Sequence, residues 1–392
     1  MSLEGSPQRR KERWITLIFF ILSGILTATW SSRIPEVQQR LGMNNAAWGT
    51  VLFIIPVGLI TGLSFSSWLV ARFGTRRIMV LSCLGTALML SLAGLARTAA
   101  QLMAALYFMG ALRTILNISM NTHSVMVQKL YERPIVSTFH GVWSGACFLA
   151  AGIGTVMIIN NVTPAAHFLG IVAVSIPAAL LFWERNKERP LGAAEKRPFF
   201  VRPDRYLFLL GLIAFCSMMC EGAMFDWGVN YFEKVVQPGK EWITAGYTTF
   251  IIAMALGRLT GDRLIATFGY HKLLIGSGVL MALGFLLAAS FPLLAPAAAG
   301  FLIIGLGDSV LVPIVYSLAA QTRKMPAGYA LASVTLIGYA GFLLGPLLIG
   351  YISEAFNMQW AFGMLSLFSL AISLLAIKVR KQKEQMEGVN GQ

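Results

Sequence analysis

Apolar residues run in blocks of about twenty along the whole chain, each closed by a short polar or basic stretch. A helix of that length crosses the ~30 Å hydrocarbon core of a bilayer. Twelve blocks are read, at 14–33, 46–70, 76–96, 100–127, 135–159, 164–184, 205–235, 242–266, 271–291, 295–321, 327–352 and 357–378. They predict an all-α polytopic membrane protein with twelve transmembrane helices. The basic start "RRKER" enters the first block without a convincing small-residue cleavage site, so that block is read as a first transmembrane helix. The long polar interruption "ERNKERPLGAAEKRPFFVRPDR" divides six spans from six. The expected organisation is a six-helix half at 1–184, a cytoplasmic linker at 185–204 and a second half at 205–392.

The halves repeat weakly. A constant offset of 195 residues links Gly62 to Gly257, Gly74 to Gly269, Gly110 to Gly305 and Lys129 to Lys324. Four Gly-x3-Gly pairs, Gly58/Gly62, Gly141/Gly145, Gly257/Gly261 and Gly341/Gly345, fall one each on spans 2, 5, 8 and 11. Small residues at that spacing let helix backbones approach closely.

Composition sharpens the picture. Of 392 residues, 56% are hydrophobic and 12% charged, against about a quarter charged in soluble domains, so the chain cannot cover a water-facing surface. Its net charge of +14 invites a nucleic-acid reading, but the placement of the charges answers it. Lys and Arg gather at the N-terminus, at Arg72–Arg77, Lys129, Arg133, Arg185–Arg205, Lys272, Arg323, Lys324 and Lys378–Lys383, on one side of the predicted membrane. The other side has few, among them Arg33, Arg40, Arg97, Lys234 and Lys240. This asymmetry places both termini in the cytoplasm and names the lipid bilayer as a partner. Cys83, Cys147, Cys216 and Cys220 all lie inside spans and are read as small packing residues.

These residues resemble the major facilitator superfamily over essentially the whole chain. The resemblance implies that spans 2, 5, 8 and 11 form the contact between halves and that spans 1, 4, 7 and 10 line a central cavity. The loop "SWLVARFGTRR" looks like the family's cytoplasmic gate motif, with Arg72, Gly74, Arg76 and Arg77 matching and Ala71 where the family has an acid. Asp262 and Arg263 are its partial echo in the second half. "NISMNTHSVMVQKLYERPIVSTFHGVWSGA" and "EGAMFDW" look most like the fucose-permease-like branch, which implies a bacterial inner-membrane transporter. That branch carries proton-handling acids on helices 1 and 4. Here span 1 has no carboxylate at depth and Asn117 stands in span 4, so proton coupling is expected to move to Glu221 or Asp308.

The polar residues at lipid depth carry the candidate chemistry. A charge at the bilayer centre costs about 2.5–3.5 kcal/mol on insertion scales and marks a substrate or ion path. Glu221 qualifies. Asp226, five residues on, lies on another face with Asn230, while Glu221 shares its face with Phe225. In span 4, Arg113, Asn117 and Asn121 form one stripe at four-residue spacing. Asp308 is the repeat mate of Arg113, so the pair is read either as a lock between halves or as a substrate site. Trp30 and Trp227 are read as rings for stacking on a solute or as interfacial anchors. His123 and His140 are read as packing or loop contacts before proton relays. "GFLLGPLLIG" resembles an antiporter motif displaced onto span 11, and a kinked packing helix explains it equally.

No nucleotide loop, metal-ligand cluster or nucleophile triad is present, so neither an enzyme nor a cofactor is expected. The predicted function is proton-coupled secondary transport of a small organic solute, sugar-like or otherwise polar, by alternating access. The alternatives are a proton-driven exporter and a solute sensor with a transporter's fold.

Overall fold

The computed structural model describes residues 7–131, 135–183, 203–322, 325 and 327–389. Arg133, Arg323, Lys324 and the linker up to Arg202, all used above to orient the chain, lie outside the described residues. The helices are α1 (Pro7–Ser32), α2 (Ile34–Arg40), α3 (Asn45–Leu52), α4 (Ile54–Phe73), α5 (Thr75–Leu95), α6 (Ala99–Gln128), α7 (Val136–Ile159) and α8 (Pro164–Leu180), then α9 (Arg205–Tyr231), α10 (Ala245–Phe268), α11 (Tyr270–Ser290), α12 (Leu294–Asp308), α13 (Leu311–Ala320), α14 (Ala327–Ala355) and α15 (Met358–Val389). Eleven helical segments among the described residues are long and apolar enough to cross a membrane.

Three expected spans differ in form. The block at 164–184 is the 17-residue α8, about 26 Å long at 1.5 Å per residue. The block at 46–70 is broken at Phe53 into α3 and α4. The block at 295–321 is broken at Ser309–Val310 into α12 and α13. Proline accounts for both breaks. Pro56 and Pro313 lack an N–H for the carbonyls of Leu52 and Ser309, four residues back, and their rings clash there.

Helix starts are set by short polar side chains. Asn44, Thr98, Thr163, Asp204 and Asn357 each accept a backbone N–H three residues on, from Ala47, Gln101, Ala166, Leu207 and Trp360, as N-caps do. The tight connections before α5 and α11 turn on Gly74 (φ 85°) and Gly269 (φ 76°). A side chain would be strained at either φ, which explains why both repeat mates are glycine.

The chain forms two compact units. One comprises Met1–Met43 and Ile54–Glu195, and the other Asn44–Phe53 and Lys196–Gln392. In the first, α4 packs on α6, α1 on α7, and α5 on α6 and α8. In the second, α10 packs on α12, α9 on α14, and α11 on α12 and α15, with α3 added against α14. The two packing schemes correspond helix for helix. They also agree in atomic detail. A Cβ on Gly110 would strike the Ile55 carbonyl and approach the Leu59 nitrogen, and one on Gly305 would strike the Phe250 carbonyl and approach the Met254 nitrogen.

Three of the four Gly-x3-Gly pairs make close contact inside their own unit. Gly58 and Gly62 meet Tyr107 and Ala111 of α6, Gly257 meets Ser309, and Gly341 meets Phe215 of α9. Gly145 has open space beside it, and the close approach of α7 comes instead from Gly24 of α1 against the Trp143 carbonyl.

Candidate functional site

The second unit holds a polar cluster on helices apolar enough to cross a membrane. Ser217, Glu221 and Phe225 follow at four-residue spacing on α9 and share one stripe. Asp308 is the last residue of α12, delivered there by the Pro313 break. It is 4% exposed, and the Ser217 hydroxyl donates to its Oδ1 at 2.7 Å. Glu221, with a side chain 14% exposed, accepts from Arg258 Nη2 of α10 at 3.2 Å, and that guanidinium side chain is 37% exposed. Asp308 lies within electrostatic reach of both Glu221 and Arg258. Close by, the Tyr316 hydroxyl bonds Thr335, and Tyr316 and Tyr339 both feel the charge of Glu221.

Arg258 is the member that sequence reasoning missed. It stands beside Gly257, the first glycine of a helix-packing pair, and drew no separate reading. An arginine eight residues before the end of the 242–266 apolar block was the available signal.

The other candidates of this unit separate. Phe225 packs edge-on against Tyr247 and Phe250 of α10, with ring centroids 5.9 and 5.8 Å away. Asp226 is half-buried and Asn230 buried. Trp227 is fully buried, and its indole N–H has no hydrogen-bond partner. Asp262 and Arg263 are exposed on α10. Cys220 packs against Ser369 and the Leu365 carbonyl, and all four cysteines are free and buried.

In the first unit, Arg113 is half-buried and has no ion-pair partner among the described residues of its unit. Below it, Asn121 Nδ2 donates to Asn117 Oδ1 and, at 3.0 Å, to the Asn117 carbonyl. The predicted stripe is therefore partly self-bonded. Trp30 is buried against Phe168, ring centroids 6.3 Å apart, with its N–H also unpartnered.

The gate-motif residues diverge. Arg72 is exposed and lies over the rings of Trp68 and Phe73, at 5.3 and 5.5 Å. Arg76 is buried and lies 3.8 Å from Glu12 of α1, while Arg77 is half-buried. His123 Nε2 is 3.4 Å from the same carboxylate, and its Nδ1 is 2.9 Å from Thr75 Oγ1. Glu12 therefore ties α1, the start of α5 and the end of α6, in a motif whose usual acid is replaced by Ala71. Sequence reading passed over Glu12 as one letter of a basic run. His140 is a packing residue against Phe20 at 5.3 Å.

No group of three or more potential metal ligands occurs among the described residues. Helices long and apolar enough to cross a membrane, eleven among the described residues, make this a multi-pass membrane protein. The chain matches the Major Facilitator Superfamily over residues 14–321 and 240–390 and belongs to it; it is a transporter of that type and not an enzyme. An uncharacterized MFS-type transporter of Yersinia pestis is 32% identical over 366 residues, 93% of this chain and 95% of that protein. An uncharacterized transporter of Sinorhizobium fredii is 31% identical over 363 residues, 91% of this chain and 95% of that protein. Among solved structures, the nucleoside transporter NupG superposes with a TM-score of 0.75 at 13% identity, over 93% of this chain and 99% of that one. A bacterial homolog of the human lysosomal transporter Spinster gives 0.75 at 16%, over 96% and 98%. FucP gives 0.60 at 15%, over 93% and 98%. The fold is thus common to several branches, and the fucose-permease branch is not singled out among them.

Proposed function

We propose that this protein is a proton-coupled secondary transporter that moves a small polar organic solute, sugar-like or another metabolite, across a bacterial inner membrane by alternating access. The carrying observation is the bonded set Ser217, Glu221, Arg258 and Asp308, of which Ser217 and Asp308 are buried. Ionisable groups are expensive at that depth and are kept where a proton or solute passes. Glu221 and Asp308 are the proposed proton-handling groups. Arg113, Asn117 and Asn121 are the proposed polar lining of the first half. The residues Arg72, Gly74, Arg76, Arg77, Asp262 and Arg263 are the proposed cytoplasmic gate, with Glu12 in place of the missing motif acid. In this reading both termini and the linker at 185–204 are cytoplasmic, the halves are 1–184 and 205–392, and kinship with fucose permeases is part of the proposal.

The test begins with a thermal-shift screen of metabolites on purified protein and continues in proteoliposomes. A stabilising solute should exchange in counterflow and should drive proton uptake. Glu221→Gln and Asp308→Asn should keep counterflow and lose accumulation against a gradient. Binding without counterflow in the wild-type protein would replace transport by sensing. Counterflow without proton movement would remove the coupling.

A further inference from the structure

We infer that Glu221, Arg258 and Asp308 together hold one exchangeable proton, and that the position of Arg258 decides which carboxylate carries it. The place of this device in a transport cycle rests on the function proposed above; the proton count does not.

The count follows from charge. Two carboxylates and one guanidinium sit on α9, α10 and α12, with Glu221 bonded to Arg258 at 3.2 Å and Asp308 in electrostatic reach of both. Among the described residues of this unit, the other titratable groups facing them are the Cys220 thiol of α9 and the phenols of Tyr316 and Tyr339 on α13 and α14. The stretches of α11 from Leu273 to Ser290 and of α15 from Met358 to Ile377 contain no acid, base or phenol. Among the described residues of this unit, Glu221 and Arg258 are the charges that act on Asp308. With both acids ionised the set carries one net negative charge, and with one proton it is neutral. A net charge at low dielectric is the costly state.

The position follows from geometry. One guanidinium here bonds one carboxylate, and it bonds Glu221. Asp308, with a hydroxyl donor and no bonded cation, is then the seat of the proton, carried on Oδ2 while Oδ1 accepts from Ser217. Arg258 is adjacent to Gly257, whose Cβ would overlap Ser309, the residue after Asp308. The guanidinium therefore starts from backbone beside both acids. When its fork moves to Asp308, the proton passes to Glu221. Arg258 is the most exposed of the three, so its swing also decides which carboxylate water reaches. The first half has no equivalent, because the repeat positions of Ser217, Glu221 and Arg258 are Leu22, Leu26 and Leu63.

Infrared spectroscopy of the purified protein at neutral pH, without solute, reads the proton directly through the C=O stretch of a protonated carboxyl. Wild type should contain one such band that Asp308→Asn removes. Glu221→Gln should remove it too, because Arg258 is then free for Asp308. Arg258→Gln should double it, and Arg258→Gln with Glu221→Gln should restore a single band. If Arg258→Gln does not fold, Arg258→Lys keeps the cation and should retain the wild-type band. A full band in Glu221→Gln, or none in wild type, would overturn the inference. Proton-driven transport with no band would do the same. The predicted bands without proton-driven transport would instead sink the coupling and leave the proton count standing.

Discussion

Arg33 and Arg40, two of the few basic residues read on the outer side, do structural work at backbone ends. Arg40 donates to the carbonyls of Gly94 at 2.5 Å and Ala96 at 3.1 Å, groups that the end of α5 leaves without helical partners. Burial pulls its proton affinity below the ordinary guanidinium value, yet an arginine keeps its charge in proteins. Arg33 is fully buried and reaches Glu36 Oε1 at 2.9 Å, the Val162 carbonyl at 2.5 Å and His167 Nδ1 at 3.5 Å. A lysine ammonium cannot span three such partners. Arg33→Lys and Arg40→Ala should each cost about 2 kcal/mol, seen as a lower melting temperature in detergent, while Arg97→Ala on the exposed loop should leave melting unchanged. Glu12 and His123 should be coupled as well. A double-mutant cycle of Glu12→Gln with His123→Gln should return about 1 kcal/mol of interaction, and zero coupling would mean the inner cluster is incidental. At this scale the sequence was a partial guide. Glu221 and Asp308 stood out because charge is rare in apolar blocks. Glu12 and Arg258 did not, because Glu12 sat inside a basic run and Arg258 stood next to a glycine already explained by helix packing. Trp30 and Trp227 are both buried, and an indole looks the same in sequence whether it faces a cavity or a core.

At the scale of helices, glycine spacing and proline position set the architecture. Close approach is measurable by adding a methyl group. Gly58→Ala and Gly62→Ala place a Cβ on backbone atoms of α6, which cannot yield without separating the helices, and each should cost on the order of 1–3 kcal/mol. Gly152, with nothing within 4 Å, should tolerate alanine or gain from its better helix propensity, by up to ~1 kcal/mol. Melting temperatures of the three variants compared side by side decide the point. The spans and the 195-residue repeat were legible because hydropathy and glycine spacing report burial and packing. The breaks at Phe53 and Ser309–Val310 were not, although Pro56 and Pro313 were in plain view. An apolar block reads as continuous to any count of hydrophobic residues, and only the missing backbone hydrogen bond interrupts it. The second break matters most, since it makes Asp308 the end of a helix.

For the whole molecule, the basic residues give orientation a test. An enzyme active only outside the cell, fused after Pro198, should be silent, and the same enzyme fused at Thr163 should be active; the reverse pattern would invert the proposed topology. The ten residues Asn44–Phe53 carry a separate consequence. They follow the first helix in sequence yet belong to the second unit. There the Asn45 N–H and Asn44 amide bind the Glu354 carboxylate at 3.0 and 3.2 Å, Lys234 Nζ donates to Asn45 Oδ1 at 2.8 Å, and Gly49 lies against Pro346 and Gly350 of α14. A gene cut at the central linker would therefore give two unequal products. The downstream product would lack a piece of its own packing, with the glycine strip of α14 laid bare and Glu354 stripped of its donors. Expressed alone it should aggregate, and grafting residues 44–53 ahead of it should rescue its solubility in detergent. The best place to divide this protein is not where its sequence is most polar.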